Sequence, residues 1–157
     1  MGTRAQELAG RFERANAELI ATIDLCADGQ WQQLCPNEQW SVGVLAHHVA
    51  EDHELLAGFV QQLANGEPLP ALTQEQVDAI NAERAQQCAD CTKEETLELL
   101  RRNGTAAVVM VRTLSDDQLD RTGTFFGQTM STQQLIERVL IGHILDHGCS
   151  IRLVVDG

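Results

Sequence analysis

The spacing of apolar residues constrains this chain more than any other feature of its sequence. From Thr3 to Ala27, apolar side chains recur three and four residues apart and form one stripe of an amphipathic helix. This stripe consists of Leu8, Phe12, Ala15, Leu19 and Ile23. The 157 residues include four Phe, two Trp and no Tyr, so the core has to be built from aliphatic side chains. This composition favours packed helices over strands.

Cap signals and breakers divide the remainder of the chain. A Ser or Thr that can cap a helix precedes each later periodic segment. The predicted helices run from Ser41 to Ala64, Thr73 to Cys88, Thr92 to Leu114 and Ser131 to Val155. The stretch from Ser115 to Met130 is predicted to be a loop with an extended piece. We therefore expect one domain over residues 1–157: an all-α, up-and-down four-helix bundle with a short extra helix and a loop before the last helix.

Charge and composition exclude several classes of protein. The formal net charge is −12, with 23 acidic residues against 11 Lys and Arg, so a nucleic-acid backbone would be repelled. The first residues have no apolar core of the signal-peptide kind, and no apolar run approaches the ~20 residues of a membrane span. The five cysteines lack the spacing of a disulfide framework. We expect a soluble cytoplasmic protein with reduced thiols and no membrane or nucleic-acid partner.

Histidines interrupt the apolar stripe of the second long helix. A helical projection places its core stripe at Leu45, Val49, Leu56, Phe59 and Leu63. His48 and Asp52 fall near this stripe, so both are predicted to point inward. His47 falls on the opposite face and is predicted to be solvated, whereas His53 lies at the edge and could point either way.

The last helix adds two further inward histidines. His143 and His147 are four residues apart on its apolar stripe, which places one imidazole a turn above the other. Buried polar groups need partners, because each unpaired group costs a few kcal/mol. Together with His48 they are predicted to bind one divalent metal, with the fourth position left to water, as in catalytic sites. Asp52 is predicted to orient an imidazole, or else to be a fourth ligand. The alternative is a metal-free network of core histidines.

Two runs of sequence carry a resemblance to a known family. They are Trp40–Ala50 (WSVGVLAHHVA) and Gly142–Arg152 (GHILDHGCSIR). Both resemble motifs of the DinB/YfiT-like family, which includes mycothiol-dependent maleylpyruvate isomerase N-terminal domains, and the resemblance extends over nearly the whole chain. It implies a four-helix bundle, frequently a homodimer, with a three-histidine site for a divalent metal, often nickel or zinc. By motif position the implied ligands are His48, His143 and His147.

The resemblance also implies a range of activities. Characterised members of this superfamily include transferases and isomerases that use low-molecular-weight thiols such as mycothiol or bacillithiol. A bound metal would lower the pKa of a thiol or of a water molecule, so that a thiolate or a hydroxide becomes available near neutral pH. We therefore expect a metal-dependent thiol S-transferase or isomerase acting on a small molecule, with a metal-dependent hydrolase as the nearest variant. A non-catalytic bundle that binds a metal or a small ligand is the alternative.

Two remaining features carry weaker predictions. Cys88-Ala-Asp-Cys91 has the CxxC spacing of a redox pair, but it lacks the strand-turn-helix context that activates such thiols, which favours two ordinary thiols. Apolar residues also lie off the core stripe of the last helix, at Leu135, Leu145 and Leu153. Either the preceding loop covers them or they form a homodimer contact.

Overall fold

The computed structural model describes residues 2–157 and confirms the all-α four-helix bundle. Its helices are α1 (Thr3–Asp24), α2 (Asp28–Trp31), α3 (Val42–Ala64), α4 (Gln74–Gln87), α5 (Lys93–Arg112), α6 (Asp116–Asp120), α7 (Thr132–Leu135) and α8 (Gly142–Val155). A π-helical segment, Ile136–Ile141, joins α7 to α8, so these three pieces form one continuous last helix. None of the described helices is long and apolar enough to cross a membrane.

The predicted caps are confirmed at all four positions. The Ser41 hydroxyl accepts a hydrogen bond from the amide of Val44 at the start of α3. Thr73, Thr92 and Ser131 each begin a helix through a reciprocal capping box, with a Gln or Glu three residues later. The predicted loop from Ser115 to Met130 is more ordered than expected, since it contains α6 and most of an antiparallel hairpin. The hairpin pairs β1 (Thr122–Phe125) with β2 (Gln128–Ser131).

Long-range contacts fix the direction of each long helix. The last helix runs parallel to α1, because Arg4 contacts Gln133 and Arg11 contacts Glu137. Helix α5 runs parallel to α3, since the Cys91 thiol donates to the carbonyl of Gly43 and the Asn103 amide donates to that of Ala50.

The two parallel pairs are antiparallel to each other. Lys93, at the start of α5, donates to the carbonyl of Asp24 at the end of α1, and Arg121, just before the last helix, donates to that of Ala64 at the end of α3. Along the chain the four directions are therefore up, down, down and up, rather than strictly alternating as the expected up-and-down order requires. The reason is that the segment from residue 65 to 92, which carries α4, runs back along α3 and brings the start of α5 beside the start of α3.

The apolar stripes identified in the sequence meet in one core. On the last helix, Ile136, Leu140, Ile144, Ile151 and Val154 are all buried. Leu135 is buried as well, where α6 and β2 pack against α7. Leu145 and Leu153 remain exposed, by 48% and 61%, so the preceding loop covers only the first of the three off-stripe leucines. The homodimer stays a prediction, and the exposed Leu145 and Leu153 are consistent with it.

One histidine is part of the core without any metal. His53 points inward and is buried, and its Nε2 lies 2.8 Å from the Oδ1 of Asn16, whose amide donates to the carbonyl of Leu100. Its ring packs edge-on against Phe12. Gly104 provides space for Asn16, since a Cβ at this position would overlap the Asn16 amide. The sequence left open whether His53 points inward or outward. The structure shows that it points inward and has a hydrogen-bond partner in the core.

We expect the buried His53 to make stability depend on pH. Burial lowers its pKa to about 4, from an ordinary value of 6.5 in the unfolded chain. Between these values the unfolded chain takes up a proton that the native state does not, so this contribution is intact above pH 6.5 and is lost as pH falls towards 4. The free energy of unfolding should therefore fall faster with decreasing pH in the wild type than in His53→Gln, by up to about 1.4 kcal/mol per pH unit. Denaturant titrations at several pH values measure this slope, and equal slopes would contradict the assignment.

Candidate metal centre

Three histidines from two helices converge between α3 and the last helix. His48 comes from α3, and His143 and His147 come from successive turns of α8. The Nε2 atoms of His48 and His143 lie 3.1 Å apart, and one ring nitrogen from each of the three histidines lies within 4.8 Å of the others. Zinc ligands at about 2.0–2.1 Å in a tetrahedron are roughly 3.3 Å apart, so the spacing of these imidazoles fits a shared ion.

The helix that carries two of the histidines is not uniformly α-helical. The π-helical segment ends at Ile141, two residues before His143. Such segments widen the turn and shift the phase of the residues that follow, and they are frequent at functional sites. A projection with a constant angle per residue cannot reveal this segment. The prediction that His143 and His147 point inward still holds, because the part of the apolar stripe within α8 itself is buried, at Ile144, Ile151 and Val154.

Burial keeps two of the imidazoles neutral. It lowers the pKa of His48 to about 4, with a smaller effect from the neighbouring His147 and Arg84. It also lowers the pKa of His143 to about 3, against the opposing charge of Asp52. A neutral imidazole has the lone pair that a metal ion requires, so near neutral pH both rings are in the form that binds a metal. The His143 Nδ1 is buried and has no hydrogen-bond partner among the described residues.

Asp52 lies beside the Nε2 atoms of His48 and His143, which face each other. Its Oδ2 is 3.4 Å from the Nε2 of His48 and 3.4 Å from the Nε2 of His143. Its Oδ1 accepts a hydrogen bond of 2.9 Å from the guanidinium of Arg84 on α4. The carboxylate therefore faces the point where an ion would sit, rather than the far ring nitrogens that an orienting residue would contact.

Glu38 contributes to the site although the sequence analysis did not identify it. It lies in the loop between α2 and α3, and its Oε2 is 2.8 Å from the Nδ1 of His147. When Nδ1 donates to this carboxylate, the ring turns its Nε2 towards the other two histidines, as carboxylate-histidine pairs do in metal sites. Loop residues have no periodicity that reveals their direction, and the sequence therefore contains no signal for this contact.

Comparisons with known proteins identify the family of this chain. Residues 12–146 match the family model described as the mycothiol maleylpyruvate isomerase N-terminal domain. The chain belongs to this family. The resemblance inferred from the two histidine-bearing runs is thereby confirmed. No curated protein matches the sequence.

A solved structure has the same fold as this chain. It is YfiT from Bacillus subtilis, which is described as a probable metal-dependent hydrolase with an unusual four-helix bundle topology. The TM-score is 0.78 at 16% sequence identity, and the match covers 98% of this chain and 87% of YfiT. At this identity the likeness establishes the fold, which is the four-helix bundle expected from the sequence.

The thiols of Cys88 and Cys91 form hydrogen bonds with different groups and not with each other. Cys88 donates to Glu51, whereas Cys91 donates to the carbonyl of Gly43. Burial and the adjacent Glu51 raise the pKa of Cys88 to about 12, and burial raises the pKa of Cys91. Redox-active pairs need a thiolate near neutral pH, so these shifts favour the interpretation of two ordinary thiols.

We expect removal of the Glu38 carboxylate to weaken metal binding without unfolding the protein. Glu38→Ala leaves the Nδ1 of His147 without its acceptor and frees the ring to rotate, which should lower metal affinity about 10- to 100-fold. Zinc affinity measured by competition with a chromophoric chelator tests this. Glu54→Gln is the matched control, because Glu54 is an exposed carboxylate on α3. Equal affinity in Glu38→Ala and wild type would show that the contact does not support a metal ligand.

Proposed function

We propose that His48, His143 and His147 bind one divalent cation, zinc or nickel, and that the protein uses it to activate a small nucleophile. The observation that carries this proposal is the convergence of three imidazoles, two of them held neutral, at one point beside a carboxylate. Three protein ligands leave a coordination position open, which is typical of catalytic rather than structural sites. When bound, the cation would lower the pKa of a thiol or a water molecule in that position.

Asp52 is proposed to accept the proton of the nucleophile, and Arg84 is proposed to hold Asp52 in place. The Oδ2 of Asp52 faces the open position, where it can accept a proton from a bound thiol or water. Arg84 holds the other oxygen of Asp52 and also binds Glu51, so the carboxylate cannot rotate freely. Arg84 is thus a positioning residue that acts through Asp52.

An apolar cavity beside Asp52 is proposed to receive the substrate. Its volume is about 100 Å³, and it lies between α3, α4 and the β1–β2 hairpin. Asp52 and Arg84 form its polar end, and most of the remaining wall is aliphatic or aromatic: Leu55, Leu56, Phe59, Ile80 and Phe125. A cavity of this size and composition suits a small molecule with an apolar group, and the net charge of −12 disfavours a nucleic-acid ligand.

A low-molecular-weight thiol is the nucleophile we propose first, as in an S-transferase or isomerase of the mycothiol or bacillithiol type. Membership of a family described by mycothiol maleylpyruvate isomerase supports this choice. A metal-dependent hydrolase is the second candidate, because Asp52 is placed as well for a water molecule as for a thiol and YfiT is described as a probable hydrolase. A non-catalytic metal-binding bundle would result if Asp52 itself filled the fourth position.

Metal content is expected to depend on each of the three histidines. Wild-type protein dialysed against a weak chelator should retain at least one zinc or nickel per chain, while His48→Ala, His143→Ala and His147→Ala should each retain about one fewer. Each change removes one of three ligands, and elemental analysis measures the result. Asp146→Asn is the control, because this residue is exposed on the same turn as the histidines. A wild type that stays metal-free after reconstitution would leave a hydrogen-bonded histidine network.

Asp52→Asn separates the proposed enzyme from a metal-binding bundle. If Asp52 accepts the proton of the nucleophile, the variant should keep its metal and lose about 10²- to 10⁴-fold in turnover. Turnover is followed as consumption of a thiol with an electrophile and, in parallel, as ester hydrolysis without a thiol; activity in only one assay selects the reaction class. Loss of metal in Asp52→Asn, with no turnover in the wild type, would instead assign Asp52 as a fourth ligand of a non-catalytic site.

A further inference from the structure

A second group of side chains that could hold a metal ion lies where α4 packs on α3. It consists of His47, Glu51 and Cys88, whose ligand atoms all lie within 4.8 Å of one another. The helical projection of α3 predicts a solvated His47, and this prediction is wrong: only 18% of the side chain is exposed. The reason is that α4 packs across this face of α3, a contact that the projection of a single helix cannot predict.

The carboxylate of Glu51 divides its two oxygens between different partners. Its Oε2 accepts from the guanidinium of Arg84 at 2.9 Å. Its Oε1 faces the other two members of the cluster, 2.7 Å from the Nδ1 of His47 and 3.1 Å from the Sγ of Cys88. The His47 contact is short but lacks hydrogen-bond geometry, and this buried nitrogen has no hydrogen-bond partner among the described residues.

The local charge favours a cation. Two carboxylates, Glu51 and Asp52, share the single guanidinium of Arg84, which leaves one negative charge at this end of α4. A nitrogen, a sulfur and an oxygen that converge on one point are the donor set of zinc and related divalent ions, and a thiolate makes the set softer than three imidazoles alone. A purely structural cluster would explain the Cys88 hydrogen bond, but it leaves the buried Nδ1 of His47 without a hydrogen bond among the described residues.

We propose that His47, Glu51 and Cys88 form a second metal site, specific for zinc-like divalent cations, that clamps α4 onto α3. On binding, the S–H bond of Cys88 breaks, its proton passes to water, and a sulfur–metal bond forms; no electron is transferred. The site is separate from the three-histidine centre, because the side chains of His47 and His48 leave α3 about 100° apart and the two sites share no ligand.

The proposed clamp has a structural consequence for the apolar cavity. None of the residues of α4, all of which the structure describes, is fully buried. Its contacts with α3 include the polar ones from Arg84 and Cys88 to Glu51 and Asp52. Because α4 forms one wall of the cavity beside Asp52, a metal bound at the clamp would hold that wall closed.

Cobalt spectroscopy tests this proposal independently of enzyme activity. Thiolate coordination to Co²⁺ gives an intense near-ultraviolet charge-transfer band, which imidazole and carboxylate ligands do not give. We expect metal-stripped wild type to develop this band with one equivalent bound at the thiol site. The His143→Ala/His147→Ala double variant should keep the band, while Cys88→Ser should lose it. Cys149→Ser is the control, because Cys149 is exposed and outside the cluster.

A second measurement needs no variant. Zinc should protect Cys88 of the wild type from alkylation at least tenfold, as read by peptide mass spectrometry, while the exposed Cys149 should react equally with and without zinc. A band that persists in Cys88→Ser, or equal alkylation of Cys88 with and without zinc, would overturn the second site. Because the double variant lacks two ligands of the three-histidine centre, failure of that centre would leave the cobalt band unchanged, so the two proposals fail independently.

Discussion

The structure depends on the burial of imidazoles between α3 and the last helix. Burial lowers the pKa of His48 and of His143 well below neutrality, and their Nε2 atoms approach to 3.1 Å. Two neutral rings at this distance can share one hydrogen bond through a single ring proton, but the Oδ2 of Asp52 also lies 3.4 Å from both Nε2 atoms and is left without a donor there. Such an arrangement in an aliphatic core is costly unless a cation completes it.

The helix directions make this meeting possible. The last helix runs antiparallel to α3, so the first half of α3 faces α8, and His48 meets His143 there. The loop before α3 then reaches the next turn of α8, where Glu38 contacts His147. Helix α4 approaches from the other side and adds Arg84 to Asp52. The site therefore draws on two helices for its imidazoles, a loop for one carboxylate contact and a surface helix for another.

Much of the architecture could be predicted from the sequence, because it depends on local rules. Helical periodicity and capping signals identified the long helices, and the projection of each helix placed His48, His143 and His147 inward. What could not be predicted depends on packing between elements. The burial of His47 follows from the position of α4, the role of Glu38 follows from the path of a loop, and the inward turn of His53 follows from the amide of Asn16 on another helix. None of these contacts has a signature in the periodicity of its own segment.

X-ray absorption spectroscopy of zinc-loaded protein tests the central claim most directly. Measured on the Cys88→Ser variant with one equivalent of zinc, so that only the three-histidine centre is filled, the spectrum should show nitrogen or oxygen ligands at about 2.0–2.1 Å. It should also show the multiple scattering of about three imidazole rings. A coordination shell of oxygens alone, or of a single imidazole, would contradict the assignment of His48, His143 and His147 as the metal ligands.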